Sequence, residues 1–308
     1  MKAIAFNGIG GDLEYVEVPD PVAGNAELVI EIHAASVNPA DHKLRDGHYG
    51  GLYELQSPHI SGRDFSGVVC KLGNGVTEFS VGDPVFGVMD VGREGGYAEY
   101  VAEKASLVAR KPDFISHAEA AALALTGLTA IISLDTGKLQ ANEKILIQGG
   151  AGGVGSFAVQ YAKHLGAYVA ATASAGNHSY VQAMGADEVI DYNTVEFRDA
   201  ISGCDMVFDT VGLETHRQSY DVMRPGGRMV YVSPQPDNFE VPRYDVEVIR
   251  PKVGRSREVL ERILSLTKSG AIKIPDIEIM PLTNAAAAQE KSKTGHVRGK
   301  IVLDPKVS

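Results

Sequence analysis

Apolar and polar positions follow one pattern over the first third of the chain and another after it. From Met1 to about Lys111 the apolar runs are short, rich in β-branched residues and closely spaced. Residues 2–6, 28–32, 66–72 and 84–88 read as strands, and residues 96–101 alternate sides as a half-buried strand does. Gly, Pro, Asn and Asp separate these runs, as in short strands curled into a partly open barrel. Near Asp113 the period changes. Ser116-His117-Ala118-Glu119 has the Ser-x-x-Glu form of a capping box, so a helix is expected to begin there. Gly127 is expected to end it, and a second helix is expected over residues 130–136, stopped by Gly137.

From Lys144 strands and helices alternate. Strands are expected at residues 144–148, 168–172, 188–192, 206–209 and 228–232. Helices are expected from the glycines at 149–155 to about Leu165, over 179–184 and over 215–223, the last stopped by Arg224-Pro225-Gly226-Gly227. This alternation implies a parallel sheet with right-handed crossovers. Pro234, Pro236 and Pro242 then mark a loop or edge strand. An amphipathic helix over 258–266 is capped near Gly270, and the last strand is residues 299–303.

The first chemical signal sits inside that alternation. Gly150, Gly152 and Gly155 fit the G-x-G-x-x-G dinucleotide fingerprint, between a strand and a helix. Glycines permit the tight turn and the close approach of a pyrophosphate, and the helix N-terminus supplies unpaired N–H donors. In such sheets a carboxylate about 20 residues past the glycines binds the ribose 2′-hydroxyl of NAD. Here the second strand ends Thr172-Ala173-Ser174-Ala175-Gly176-Asn177, with no carboxylate. A 2′-phosphate meets no repulsion there, and Ser174, Asn177 and His178 can donate to it, so NADP is expected over NAD.

Composition narrows the partners. The net charge of −10, without a dense basic cluster, argues against nucleic acid or an anionic membrane surface. No uninterrupted apolar run is read as long enough to span a bilayer, and the N-terminus goes almost directly into a strand pattern, with no signal-peptide core. Two cysteines, Cys70 and Cys204, allow at most one disulfide and no metal-ligand spacing, which suits a reducing cytoplasm. The length of 308 residues suggests two domains.

Ordered motifs along nearly the whole chain carry a family likeness. They include Ser36-Val37-Asn38-Pro39-Ala40-Asp41, Gly62-Arg63-Asp64-Phe65-Ser66-Gly67, Val81-Gly82-Asp83-Pro84-Val85-Phe86-Gly87 and Gly95-Gly96-Tyr97-Ala98-Glu99-Tyr100. Leu125-Thr126-Gly127-Leu128-Thr129-Ala130, the glycine turn, Gly185-Ala186-Asp187-Glu188-Val189-Ile190-Asp191-Tyr192 and Gly299-Lys300-Ile301-Val302-Leu303 complete them. On these residues the chain resembles the zinc-independent quinone oxidoreductases, the zeta-crystallin-like branch of the medium-chain dehydrogenase/reductase superfamily. The resemblance implies an α/β fold: a Rossmann doubly wound parallel sheet over residues 116–267, plus a GroES-like β-barrel domain from residues 1–115 and 268–308. It places the active site in a cleft between the two and implies a homodimer.

It also implies roles. Asn38 and Thr126 would flank the nicotinamide. Gly152, Gly153, Val154 and Gly155, with Gly150, would cradle the pyrophosphate. Thr172, Ser174 and Asn177 would lie near the adenosine phosphate and Tyr192 near the adenosine. Asp209, Val211, Gly212 and Ser233 would line the nicotinamide tunnel, and Arg298 or Lys300 would reach the cofactor. Zinc-dependent relatives hold the metal on a Cys, a His and a second Cys. The matching positions here are Asn38, Arg63 and Ala122, which do not form a tetrahedral zinc site. A Tyr found in several quinone oxidoreductases is replaced by Lys43, as in related enone reductases, and Lys43, Asn38 or a bound water would donate to the substrate carbonyl. Tyr49, near the expected cleft mouth, is read as packing or gating.

The expected activity is transfer of hydride from NADPH to a quinone or an α,β-unsaturated carbonyl, without zinc. Alternatives are an enoyl-thioester reductase and a non-catalytic NADPH-binding sensor or structural protein. Acceptor specificity is expected in the loops around residues 45–57 and 234–250.

Overall fold

The structure is a computed structural model that describes residues 1–49, 55, 57–90, 92–233, 235 and 238–307. Parts of both specificity loops, residues 50–54 and 56 and residues 234, 236 and 237, thus lie outside the described residues. The chain forms two compact units: Met1–Leu125, Arg255–Ser265 and Ile274–Ser308, and Thr126–Gly254 with Leu266–Lys273. These bounds differ from the expected limits at 115/116 and 267/268. The helix that starts at the capping box is counted with the first unit only up to Leu125, and residues 255–265 are counted there too.

In chain order the first elements are β1 (Lys2–Phe6), β2 (Glu14–Glu17), β3 (Glu27–Ser36), α1 (Pro39–Arg45), β4 (His59–Ile60), β5 (Asp64–Leu72), β6 (Pro84–Val88), β7 (Tyr100–Lys104), β8 (Val108–Arg110) and α2 (His117–Thr136). There follow β9 (Lys144–Gln148), α3 (Gly153–His164), β10 (Tyr168–Ala173), α4 (His178–Ala183), β11 (Glu188–Asp191), α5 (Phe197–Ala200), β12 (Cys204–Asp209), α6 (Leu213–Ser219), β13 (Met223–Tyr231) and β14 (Glu247–Ile249). The chain closes with α7 (Arg257–Lys268), β15 (Ile277–Pro281), α8 (Ala285–Lys293) and β16 (Lys300–Asp304).

In the first unit, β15, β16, β3, β5, β6 and β8 form one sheet in that order, with β7 also on β3, and β2, β1 and β4 form another. All pairs are antiparallel except β15 with β16. The final strand β16 therefore completes the sheet begun by β3, through Val302↔Ser36 and Leu303↔Ala35. The core between the strands is apolar, with Leu28, Ile30, Ile32, Phe65, Val69 and Tyr97 fully or almost fully buried. The strand expected over 96–101 begins only at Tyr100, and Ala98 makes a single bridge to Ala3.

The second unit holds a six-stranded sheet in the order β11-β10-β9-β12-β13-β14, parallel throughout. This is the 3-2-1-4-5-6 order of a doubly wound dinucleotide fold, and the glycine turn leaves its central strand β9. Leu146, Ala170, Val207, Tyr220 and Met229 pack its core.

Three sequence expectations are corrected here. Gly127 breaks no helix: α2 runs unbroken for 20 residues, its capping box formed by Ser116 and Glu119. Residues 120–130 are buried without interruption, and burial on all sides outweighs the cost of one helical glycine. That same helix is long and apolar enough to cross a membrane by length and composition, against the expectation that no run is; 78% of the stretch is buried inside the protein, so the core already uses its apolar surface. Lastly, β13 begins at Met223, before the expected stop at 224–227. The register shifts between Cys204 and Met206, an irregularity that accommodates Pro225 and Gly226 within the strand.

Candidate active site

The glycine turn is built by close packing and by a buried threonine. Gly149, one residue before the fingerprint, takes the left-handed conformation at φ +78°. Its N–H donates to Thr172 Oγ1 at 3.0 Å, the Thr172 hydroxyl donates to Gln148 Oε1 at 2.8 Å, and the Gly150 N–H donates to the Thr172 carbonyl at 2.9 Å. Thr172 is buried and its hydroxyl is used twice within the turn. Its place is thus to pin β10 to the glycines; the expected cofactor contact is not what its hydroxyl is engaged in. At Gly155 a Cβ would lie 2.1 Å from the Gly149 carbonyl oxygen, whereas at Gly152 the nearest atom would be 3.6 Å away. Gly155 brings helix α3 onto the turn, and Gly152 leaves open space above it.

Gly152 is the N-cap of α3 and no side chain caps that end. The N–H groups of Gly153, Val154 and Gly155 in the first turn have no intrahelical acceptor by helix geometry. Open backbone, unpaired donors and the positive end of a helix dipole suit a pyrophosphate. Ser174 and Asn177 are brought together after β10, the Asn177 amide donating to Ser174 Oγ at 3.2 Å. His178 follows directly, and Tyr192 stands exposed just past β11.

Sequence reading missed one network in this unit. Asp209 ends β12 fully buried. Its Oδ1 accepts the N–H groups of Val211 at 2.8 Å and Gly212 at 3.0 Å, and its Oδ2 accepts His216 Nδ1 at 2.9 Å and the Ser233 hydroxyl at 3.1 Å. Because Nδ1 faces a carboxylate, it carries the proton, and Nε2 accepts from Tyr220 at 3.2 Å. Ser233 is therefore buried and held, while Val211 is half exposed on a corner where Leu213 adopts φ +53°. Nothing in the sequence flags His216, which meets Asp209 only because α6 folds back over β12. Thr126 is buried within α2.

The first unit carries Asn38, Lys43, Lys300 and Arg298. Asn38 is the N-cap of α1, with Pro39 behind it in the first turn. Its amide is already committed. Nδ2 donates to the Ser36 carbonyl at 3.1 Å and to Asp64 Oδ2 at 3.2 Å, while Oδ1 accepts from Lys300 Nζ at 2.7 Å. Lys300 also donates to the Val37 carbonyl at 2.6 Å and is 4% exposed. Two expectations change accordingly. The Asn38 amide has no hydrogen left for a substrate carbonyl, and two of the three Lys300 ammonium hydrogens go to Asn38 and Val37 in a buried position, which opposes the expected reach to a phosphate. Arg298 pairs with Asp276 at 2.7 Å. Burial lowers the Lys300 pKa and raises that of Asp64, each opposed by the other's charge.

Lys43 differs from all of these. It is half-buried, burial lowers its pKa, and among the described residues its ammonium meets no carboxylate and makes no hydrogen bond. Beside it on α1, Asp41 accepts the Asn38 N–H at 2.8 Å and the Tyr97 hydroxyl at 2.7 Å. Burial raises the Asp41 pKa from 3.8 to about 6, against the Arg63 charge that lowers it. The unfolded chain releases this proton near 3.8 and the folded chain near 6, so Asp41 makes stability fall as pH rises through that window. The loss amounts to about 3 kcal/mol above the window. Asp41→Asn is expected to remove this fall. Urea unfolding of both proteins at pH 4.5 and 7 checks it, and an equal change with pH in the two contradicts it.

Among the described residues no group of three or more His, Cys, Asp or Glu is placed to hold a metal ion. Arg63 and Ala122 are both buried. A guanidinium and a methyl offer no ligand to zinc.

Comparison with known proteins agrees with this geometry. Residues 24–113 match the profile of the alcohol dehydrogenase GroES-like domain and residues 184–303 that of a zinc-binding dehydrogenase family. The chain is 34% identical to the chloroplast envelope quinone oxidoreductase homolog of Arabidopsis thaliana, over 99% of this chain and 98% of that one. It is 33% identical to a chloroplastic NADPH-dependent alkenal/one oxidoreductase of the same plant, over 99% and 80%. The solved quinone oxidoreductase of Coxiella burnetii superposes with a TM-score of 0.90 at 33% identity, covering 99% of both chains.

Proposed function

Because the chain belongs to the quinone oxidoreductases of the medium-chain dehydrogenase/reductase superfamily, we propose that it reduces quinones and α,β-unsaturated carbonyl compounds with NADPH and without zinc. The observation that carries this reading is the open Gly152 backbone at the uncapped start of α3, followed across the sheet by a strand end free of carboxylate. Gly152 to Gly155 would hold the pyrophosphate, and Ser174 with Asn177 the 2′-phosphate. When bound, NADPH supplies the hydride.

The rest belongs to this chain's own side chains. Hydride arrival at an enone or quinone leaves negative charge on the carbonyl oxygen. With the Asn38 amide hydrogens engaged, Lys43, an α1 side chain whose ammonium makes no hydrogen bond among the described residues, would donate to that oxygen. Its partial burial strengthens the interaction, because a charge in low dielectric is poorly screened. Asn38, Arg63 and Ala122 support the zinc-free part of the proposal, since none replaces the Cys-His-Cys donor set.

The direct test is NADPH oxidation by the purified protein across quinones, alkenals and cyclic enones; absence of turnover with all of them contradicts the proposal. A second test concerns the cofactor. Ser174→Asp restores a carboxylate at the end of β10. It is expected to lower kcat/KM for NADPH at least about tenfold while leaving that for NADH unchanged or higher. Equal loss with both cofactors would mean that Ser174 does not meet the 2′-phosphate.

A further inference from the structure

The first unit contains a second polar site, outside the Lys43 region and unused by the reaction as drawn. Arg63 is 7% exposed, and among the described residues its Nε and Nη2 have no hydrogen-bond partner. The Glu94 side chain is 2% exposed and lies 3.4 Å from Arg63 Nη2, and among the described residues neither of its oxygens is hydrogen-bonded. His59 Nε2, 3.6 Å from Glu94, and Asp41 Oδ1 likewise make no hydrogen bond among the described residues. The Tyr49 ring lies over the guanidinium at 5.4 Å.

A buried polar atom without a hydrogen bond is costly, so a cluster of them calls for an explanation. The pair is also arranged unusually: at 3.4 Å the two charges attract, yet their geometry forms no hydrogen bond. The unsatisfied atoms suit a guest oxygen that accepts from Arg63 and, once it carries a hydrogen, donates to Glu94. A phenol or hydroquinone oxygen does both. A carboxylate guest would be repelled by Glu94, and a guest without a hydrogen leaves Glu94 unsatisfied. The site adjoins α1, since Arg63 acts on Asp41, two residues before Lys43.

We infer that Arg63 and Glu94 bind the second oxygen of a two-oxygen acceptor, so that this site favours quinones over acceptors with a single carbonyl. The inference rests on the reductase reading above. In it hydride from NADPH and one proton from water turn the quinone into the hydroquinone and leave NADP+; Lys43 meets the oxygen on which the hydride leaves negative charge, and Arg63 with Glu94 meets the other oxygen as it gains its proton from water.

The test compares 1,4-naphthoquinone with trans-2-hexenal, with NADPH as donor. Arg63→Met is expected to lower kcat/KM for the quinone about 10²-fold and to change that for the alkenal less than about threefold. An equal loss with both acceptors, the result of a purely structural role, overturns the inference. Should Arg63→Met fail to fold, Arg63→Lys keeps the charge without the Nε donor, and the same ratio is read. A titration with 4-nitrophenol gives a readout free of turnover. The wild type is expected to bind it, Glu94→Gln to bind its phenolate form more tightly, and Arg63→Met to lose binding at least about tenfold; unchanged binding in Arg63→Met is the opposing result. If the wild type reduces neither acceptor the reductase reading fails, while the 4-nitrophenol titration still decides the site.

Discussion

Gly155→Val is expected to abolish NADPH binding at concentrations that saturate the wild type, a loss of 10²-fold or more. The first carbon of the new side chain would stand 2.1 Å from the Gly149 carbonyl oxygen, 2.8 Å from its carbon and 3.0 Å from Gly150 Cα. None of these is the end of a flexible side chain. They are turn backbone, pinned to β10 by the Gly149 and Gly150 N–H groups. Helix α3 must move away, carrying its donors with it, and overpacking of this kind costs about 1–3 kcal/mol in stability as well. Gly152→Ala separates the two effects. Its φ of −73° accepts any residue, and its Cβ meets nothing nearer than 3.6 Å. Stability is then expected to stay within about 0.5 kcal/mol of wild type. NADPH affinity is expected to fall at least about tenfold, because the methyl takes the space through which the pyrophosphate approaches. Fluorescence titration with NADPH and thermal unfolding of both variants read the two effects. A Gly152→Ala protein with wild-type affinity would show that the pyrophosphate does not lie over Gly152.

Asp64→Ala is expected to destabilise the first unit by about 3–5 kcal/mol, the usual result of leaving a buried charge without its counter-charge. Asp64 is fully buried and accepts from the Ser36 N–H at 2.9 Å, the Ser36 hydroxyl at 2.8 Å and the Asn38 amide at 3.2 Å. Lys300 stands on the other side of Asn38, equally buried. Removing the carboxylate strands the ammonium and frees the amide that orders the start of α1. Adding Lys300→Met should recover part of the loss, since the double variant buries no unpaired charge, and the cycle measures the coupling through Asn38. Urea unfolding supplies the values. A single-variant cost below about 1 kcal/mol, or strict additivity in the cycle, would mean that the two charges do not stabilise each other.

These two experiments probe sites of different legibility. The glycine turn is local: strand, turn and helix are contiguous, so the periodicity of residues 144–165 and the spacing of Gly150, Gly152 and Gly155 suffice to place it. The same holds for the alternation that follows, because each strand and helix buries its own face. The helix across Gly127 was not legible, because burial on every side erases the pattern that a half-buried helix would show. Nor was β13 from Met223, where a bulge keeps a Pro-Gly pair inside a strand. Strands β14 and β15 and helix α8 carry too weak an apolar pattern to stand out before their neighbours are known.

The chain by itself determined the doubly wound sheet, the phosphate-binding turn and the missing carboxylate after β10, because each depends on residue type at a fixed spacing; that Asn38, Arg63 and Ala122 stand where relatives hold zinc came from the family resemblance. Only the tertiary structure decided how the side chains are spent. Asn38 and Lys300 are 262 positions apart yet share a hydrogen bond. That pairing engages both, and among the described residues it leaves Lys43 as the α1 ammonium without a hydrogen bond. Thr172 is claimed by the turn it supports, and Asp209 by a histidine that only the return of α6 brings near. Such assignments depend on which buried groups meet across β3, β5 and β16 or across β9, β10 and β12. Hydrogen-bond satisfaction is a property of those meetings, and no local pattern of residues encodes it.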